Sequence, residues 1–147
     1  MSRKIKEKKD FRVLIVYPNL PLMLVPALAI GIFTKILKAQ GYQVSLFETT
    51  GYLPQDPDES SSPENRVKFS QAREFDYEHD LGVVPMYSDM RDDFRNLIED
   101  YKPDFMIFTV VEDAFLQAIS LLEAVDDLDI PHLIGGVFPT AAPERCM

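Results

Sequence analysis

Few residues in this 147-residue chain have the types and the spacing that acid–base or metal chemistry requires. Glu112 and Asp113 are adjacent carboxylates after an apolar run, and such a pair can supply an acid and a base, although Asp113 is more typical of a helix N-cap. His79, His132 and Cys146 are metal-ligating types, but their separations match no ligand spacing. The sequence therefore predicts no catalytic residue and no metal site.

The phosphate-binding motifs of nucleotide enzymes are also missing. No Gly-x-Gly-x-x-Gly and no Gly-x-x-x-x-Gly-Lys-Ser/Thr follows any strand-like run. The loop Pro18–Leu22, after the first such run, lacks the Ser/Thr/Gly cluster that holds a flavin phosphate and the carboxylates of a phospho-receiver domain. These patterns exclude dinucleotide, P-loop, flavin and phospho-receiver sites at the predicted strand ends.

Four short apolar runs have the composition of strands that are buried in a parallel sheet. They are Val13–Tyr17, Val44–Phe47, Phe105–Val111 and His132–Ile134. Apolar residues at helical spacing separate these runs, so strands and helices alternate along the chain. This alternation predicts an α/β fold with an open parallel sheet and helices on both faces.

Capping residues mark where the predicted helices begin and end. Gly41 ends the first helix as a left-handed residue. Ser88, Asp113 and Thr140 are the predicted N-caps of later helices, and Pro103 ends the helix that follows Ser88. Residues 51–87, first acidic and then aromatic, form a predicted insertion ahead of Ser88.

The domain organisation follows from these elements. Residues 1–10 are predicted to be a flexible basic N-terminus, and residues 11–147 a single α/β domain. Four strands and three complete helices are too few to cover both faces of a parallel sheet, so we expect a domain truncated after its fourth strand. The uncovered apolar face predicts self-association or marginal stability.

Composition limits the partners and the compartment. The chain has 24 Asp and Glu against 15 Lys and Arg, a net charge of −9, which disfavours nucleic acid as a partner. Its longest apolar stretch, Leu20–Phe33, is too short to span a membrane and is interrupted by prolines. A lone cysteine, Cys146, is typical of a reducing compartment. We therefore expect a cytoplasmic protein with no membrane partner.

The carboxyl ends of the strands are the predicted ligand site, because open parallel sheets bind ligands at that edge. Three loops meet there, at residues 18–25, 110–113 and 135–140. Gly135 and Gly136 carry no side chain, so a bulky ligand can approach the backbone closely; the same pair is also typical of a tight turn after a strand.

Four segments, taken in order, carry a resemblance to a known family. They are residues 12–19, 37–44, 101–105 and 130–144, and the most specific pieces are Pro18-Asn19 and the Gly-Gly-x-x-Pro-Thr-x-x-Pro-Glu run that begins at Gly135. Together they resemble the N-terminal cobalamin-binding domain of cobalamin-dependent radical S-adenosylmethionine enzymes. The match covers nearly the whole chain from Arg12 onward.

The resemblance implies a flavodoxin-like (Rossmann-like) domain that holds cobalamin at the carboxyl edge of its sheet. It implies cofactor contacts from Asn19, Leu20, Thr109, Val110, Val111, Glu112, Gly135, Gly136, Val137 and Thr140. The family's Asp-x-His-x-x-Gly motif is absent, so binding would occur without an axial histidine. The iron–sulfur motif Cys-x-x-x-Cys-x-x-Cys is absent too, which places the cluster and S-adenosylmethionine in a downstream domain of the parent enzyme, the expected partner.

Two other interpretations stay open at the level of sequence. A degenerate domain of this fold that binds no ligand would serve as an interaction or assembly surface. The N-terminal half of a sugar-nucleotide transferase also places Gly-rich loops at the edge of a parallel sheet, and it predicts affinity for a nucleoside diphosphate. The cobalamin module, with methyl transfer as the parent reaction, is the leading interpretation.

Overall fold

The computed structural model describes residues 6–23, 27–53 and 76–146, and it has an α/β arrangement around one four-stranded parallel sheet. The strands are β1 (Arg12–Tyr17), β2 (Gln43–Glu48), β3 (Phe105–Thr109) and β4 (His132–Gly135). Their spatial order is β2-β1-β3-β4. All four predicted strands are confirmed, although β3 ends two residues earlier than Val111.

Five α-helices connect or follow these strands within the described ranges. They are α1 (Leu28–Ala39), α2 (Tyr77–Leu81), α3 (Met90–Tyr101), α4 (Phe115–Glu123) and α5 (Val137–Ala141). Short 3₁₀ helices occur at Lys8–Asp10, Glu112–Ala114 and Pro143–Arg145. Gly41 has a φ of 91°, which confirms its predicted role after the C-terminus of α1.

The side of the sheet that carries α3 and α4 holds the hydrophobic core. Leu14 and Val16 of β1 lie on this face, with Met106 and Phe108 of β3 beside them. The core is completed by helix residues that include Phe94, Ile98, Ala118 and Leu121. The rings of Phe47 and Phe94 lie 4.9 Å apart, centroid to centroid. The helices α3 and α4 therefore cover β1 and β3 on this face.

The opposite face, which carries α1, is only partly covered. The register aligns Leu46, Ile15, Ile107 and Leu133 in one row across it. Ile15 is buried, but Leu46 and Leu133 at the two ends of the row are exposed. Four large apolar residues of α1 are exposed as well, and we call them the outer arc: Leu28, Ile32, Phe33 and Ile36.

Three predicted N-caps are wrong. Asp89, not Ser88, caps α3, since its side chain accepts from the backbone N–H of Arg91. Asp113 lies inside the 3₁₀ turn before α4, and Ala114 occupies the cap position without a side-chain bond. Thr140 lies within α5, where its hydroxyl donates to the carbonyl of Gly136.

The described ends of the predicted insertion meet each other. Tyr52 and Met86 form an isolated parallel bridge, and the Met86 N–H donates to the Gly51 carbonyl over 2.7 Å. Tyr52 also donates its hydroxyl to Asp93 of α3, which accepts from Ser88 too. The intervening chain thus leaves and re-enters the domain at one point. The acidic residues 56–64, as well as Phe69 and Phe75, lie outside the described residues.

The N-terminal residues 6–10 contact the domain at the amino ends of the strands. Lys6 forms a 2.6 Å ion pair with Asp104, which also accepts from the backbone N–H of Arg12. The ammonium group of Lys8 lies 5.5 Å from the ring centroid of Tyr42. These contacts join residues 6–10 to the segments that lead into β2 and β3.

Candidate functional site

The carboxyl edge of the sheet brings the sequence-predicted residues together. β1 connects to β2 on one side, whereas the chain from β3 continues to β4 on the other, so the connections diverge between β1 and β3. Ligands of open parallel sheets bind at such a point. Eight of the ten residues predicted from the sequence lie at the strand ends or in the turns of this edge, and Val137 and Thr140 lie in α5, which begins directly after Gly136.

Asn19 is buried in a hydrogen-bonded clamp rather than displayed at the surface. Its side-chain amide donates to the carbonyl of Met23 (2.8 Å) and to the hydroxyl of Thr50 (3.0 Å). Its backbone N–H donates to the hydroxyl of Thr49, and that hydroxyl lies 2.9 Å from the side-chain amide oxygen (Oε1) of Gln117 on α4. The clamp therefore joins the ends of β1 and β2 to α4.

A tight turn completes this side of the edge. The N–H of Met23 donates to the Leu20 carbonyl, and Leu22 has a φ of 54°, which is unusual for a branched residue. The N–H of Leu22 donates to the Thr50 carbonyl over 2.7 Å, and its side chain is buried. These contacts hold the backbone in a conformation that Leu rarely adopts; Leu20 stays half-buried.

The loop after β3 has a different character. Val110 is buried, and its N–H donates to the Gly135 carbonyl, which extends the pairing of β3 with β4 by one residue. Val111 and Glu112 are exposed, and the 3₁₀ turn leads directly into α4. Thr109, the last residue of β3, is half-buried beside Gly135.

The two glycines after β4 have different roles. Gly136 has a φ of 113°, and a Cβ there would lie 2.5 Å from the Val110 carbonyl oxygen, so this position requires glycine. A Cβ on Gly135 would meet nothing nearer than the Phe108 carbonyl oxygen at 3.9 Å. The space above Gly135 is therefore open, and the tight-turn interpretation applies to Gly136 alone.

Exposed apolar side chains surround this half of the edge. Leu116 and Val137 are 80% and 74% exposed, and Val111 and Met23 are also exposed. We call these four residues the apolar rim. Beneath it, Phe138 of α5 packs on Phe115 of α4, with ring centroids 5.0 Å apart. This contact joins α4 to α5, the two helices that carry Leu116 and Val137.

Among the residues that the structure describes, the charged groups at the strand ends of this edge are few and acidic. Glu48 ends β2, and Glu112 and Asp113 follow β3. Burial raises the pKa of Tyr17, and the charge of Glu48 raises it further. No group of three or more metal-ligating side chains occurs among the described residues. The edge is thus suited to holding a large, partly apolar ligand rather than to acid–base chemistry.

Two clefts lie away from this edge. One, of about 610 Å³, opens at the amino ends of the strands between α3 and the segment before β4, beside Lys102 and Asp127. The other, of about 370 Å³, lies between α4 and His132 of β4. Both are wide open, and neither includes a residue of the apolar rim. We place the candidate site at the carboxyl edge because the rim and the strand topology coincide there.

Sequence reasoning missed several residues of this edge. Thr49, Thr50 and Gln117 form the clamp, and Met23 and Leu116 belong to the rim. Two threonines directly after a predicted strand are a usable signal, because residues in that position must lie at the carboxyl edge. No sequence signal identifies Gln117, since its contact with Thr49 depends on how α4 packs against the sheet.

Comparisons of the chain with protein families, with curated proteins and with solved structures found no match. Within the described ranges, no helix has the length and apolar character needed to cross a membrane. The α/β arrangement and the geometry of the carboxyl edge are therefore the basis for a functional assignment.

Proposed function

We propose that this chain is the cobalamin-binding module of a radical S-adenosylmethionine enzyme, and that it holds cobalamin without a histidine axial ligand. The observation that carries the proposal is the apolar rim at the divergence point of the sheet. Its support comes from the strand order β2-β1-β3-β4, which is the order of the first four strands in a flavodoxin-like fold.

The chemistry of the edge fits a corrin ring. A corrin presents a broad, largely apolar face with amide groups around its margin. Val111, Leu116 and Val137 offer exposed apolar contacts, while Glu112 and backbone carbonyls can accept from the amides. The open space above Gly135 suits close approach by the nucleotide tail, beside the small side chain of Thr109.

Histidine is poorly placed for a role at this edge. His132 begins β4 at the amino end of the strand, and His79 lies in α2, where its ring contacts Asp80. Neither residue belongs to the loops after β1, β3 or β4. This placement supports a binding mode in which the lower face of the corrin contacts apolar side chains.

The chain's own residues would position the cofactor and exclude water. Bound cobalamin would supply a cobalt ion able to carry a methyl group, and the iron–sulfur cluster and S-adenosylmethionine would belong to the partner domain. The apolar rim would cover one corrin face, and the clamp around Asn19 would fix the loop after β1. We assign no catalytic residue to this chain.

The sugar-nucleotide interpretation is less well supported. A nucleoside diphosphate needs cations or a cluster of N–H donors for its phosphates. The loops at this edge carry Glu48, Glu112 and Asp113 but no Lys or Arg. Carboxylates beside a diphosphate would weaken binding through like-charge repulsion.

Retention of hydroxocobalamin tests the proposal. The purified chain is mixed with the cofactor, desalted and examined by visible spectroscopy, and affinity is measured by titration. We expect retained cobalamin whose spectrum lacks the signature of a nitrogenous axial ligand. A chain that is colourless after desalting and gives no titration signal would contradict the proposal.

Matched variants locate the bound cofactor. Val137→Asp, in the rim, should abolish retention. Val84→Asp should not, because this 69% exposed valine lies two residues before Met86, where the insertion rejoins the domain. Gly135→Leu should also abolish retention, and its denaturation curve shows whether the chain still folds, since the position has room for a Cβ. Equal retention by the Val137 and Val84 variants would place the cofactor elsewhere.

A further inference from the structure

α1 has apolar side chains on both its inner and its outer side. Ile30, Thr34 and Leu37 are half-buried toward the sheet, while Leu28, Ile32 and Ile36 are exposed on the other side. A surface helix of a soluble protein ordinarily places polar residues on its outer side, and a helix that is apolar all round is normally buried. The outer arc therefore has the composition of a surface that is covered.

The outer arc is large enough to form an interface. Leu28, Ile32, Phe33 and Ile36 are 80%, 47%, 43% and 54% exposed. At roughly 190 Å² for a fully exposed side chain of this size, the arc offers about 400 Å² of apolar surface, as much as the largest patches on monomeric proteins. A standard interface buries about 800 Å² per partner, somewhat more than half of it apolar. One copy of the outer arc supplies most of the apolar area that each partner buries in a standard interface.

The charge distribution on α1 is compatible with a second copy of this chain as the occupant. The chain carries a net charge of −9, so most pairs of its surfaces repel each other. None of its 24 carboxylates lies between residues 11 and 47, and Lys35 and Lys38 are the charged residues of α1. The outer arc is thus a face on which two copies can meet without opposing carboxylates.

We propose that the chain forms a two-fold symmetric homodimer through the outer arc of α1, with the two helices antiparallel. Leu28, Ile32 and Ile36 are spaced four residues apart along one stripe, so the central Ile32 faces the partner's Ile32 and Leu28 faces the partner's Ile36. α1 begins near the end of β2, so this arrangement brings Lys38 toward the partner's Glu48. The proposal is independent of cobalamin binding.

Sedimentation analysis of the full chain, across a range of concentrations, tests this interface. We expect a monomer–dimer equilibrium with a dissociation constant on the order of 1–10 μM. Leu28→Asp should raise that constant at least about 30-fold. Leu116→Asp is the matched control, since both leucines are 80% exposed in the first turn of a helix, and it should leave the constant unchanged.

Cross-linking tests the symmetry. In a Cys146→Ser background, Ile32→Cys should form an intermolecular disulfide on mild oxidation, because the two positions face each other at the axis. Leu116→Cys should not cross-link at the same concentration. A wild-type chain that stays monomeric at 100 μM, about tenfold above the expected constant, overturns the proposal. So does a dimer that survives Leu28→Asp, or one that fails to cross-link through position 32.

Discussion

The two halves of the carboxyl edge are built in opposite ways. At the ends of β1 and β2, the buried polar groups of Asn19, Thr49 and Thr50 hydrogen-bond within one clamp, and Met23 is the member of the apolar rim that lies in this half. At the ends of β3 and β4, backbone pairing ends and apolar side chains such as Val111 and Val137 project into solvent. The difference indicates that one half fixes the geometry of the edge, while the other is available to a ligand.

The ends of β3 and β4, which we call the open half of the edge, depend on the backbone conformation of Gly136. A substitution there gives the largest predicted change in the free energy of unfolding. Gly136→Ala should lower the free energy of unfolding by about 3 kcal/mol or more, since a φ of 113° is strained for any side chain and the new Cβ would collide with Val110. Denaturant titration measures the change. Gly135→Ala is the control and should change stability by less than about 1 kcal/mol; equal losses would mean that the two glycines have the same role.

The ends of β1 and β2, which we call the closed half of the edge, should show the next largest loss of stability on substitution. Asn19→Ala removes the amide that donates to the Met23 carbonyl and to Thr50, and it leaves buried acceptors unpaired, which costs about 2 kcal/mol. Asn96→Ala, at an exposed position of α3, should be nearly neutral. Urea titration of the two variants checks this prediction. A neutral Asn19→Ala would show that the clamp does not hold the loop and would return Asn19 to the candidates for ligand contact.

Tyr52, which pairs with Met86 where the two ends of the insertion meet, makes the stability of the folded chain sensitive to high pH. Burial, and then the hydrogen bond to Asp93, raise the pKa of Tyr52 to about 12. A pKa that is higher in the folded chain contributes stability that is complete below the unfolded value, near 10, and is lost as the pH rises through about 12. Tyr52→Phe should cost about 1 kcal/mol at pH 7. It should also remove part of the decline between pH 10 and 12.

The comparison between wild type and Tyr52→Phe isolates this group, because Tyr17 and Tyr101, whose pKa values are also raised, are present in both proteins. Denaturation curves at several pH values between 8 and 12 provide the measurement. Parallel stability profiles for the two proteins would mean that the Tyr52–Asp93 contact contributes nothing to the closed half.

The fold was predictable because its determinants are local. Val13–Tyr17 is a continuous run of large apolar residues, and it forms the most buried strand of the sheet. The stripe that includes Phe94 and Ile98 has helical spacing, and both residues are buried in the core. Such patterns involve residues that are close in sequence and do not depend on tertiary contacts. They therefore identify the strands and helices and their order along the chain.

The details of the edge depend on contacts that are distant in sequence. The resemblance predicts Asn19 as a contact for the cofactor, and in the structure its amide donates to Thr50, which is 31 residues away. Asp113 has the side chain of an N-cap, but the end of β3 feeds into a 3₁₀ turn that leaves this residue inside the turn. For both residues, contacts with other parts of the chain determine the hydrogen bonds that they form and their position in the fold.

The smallest predicted effect tests the open half directly. Val137→Ser should change the free energy of unfolding by less than about 0.5 kcal/mol, because the side chain is 74% exposed and little apolar surface is buried on folding. If the rim serves a ligand, the same substitution should weaken cobalamin binding several-fold while the denaturation curve stays unchanged. Titration with hydroxocobalamin and urea denaturation of the same preparation measure the two quantities. A variant that loses stability and binding together would show that Val137 supports the fold, and the distinction between the two halves would fail.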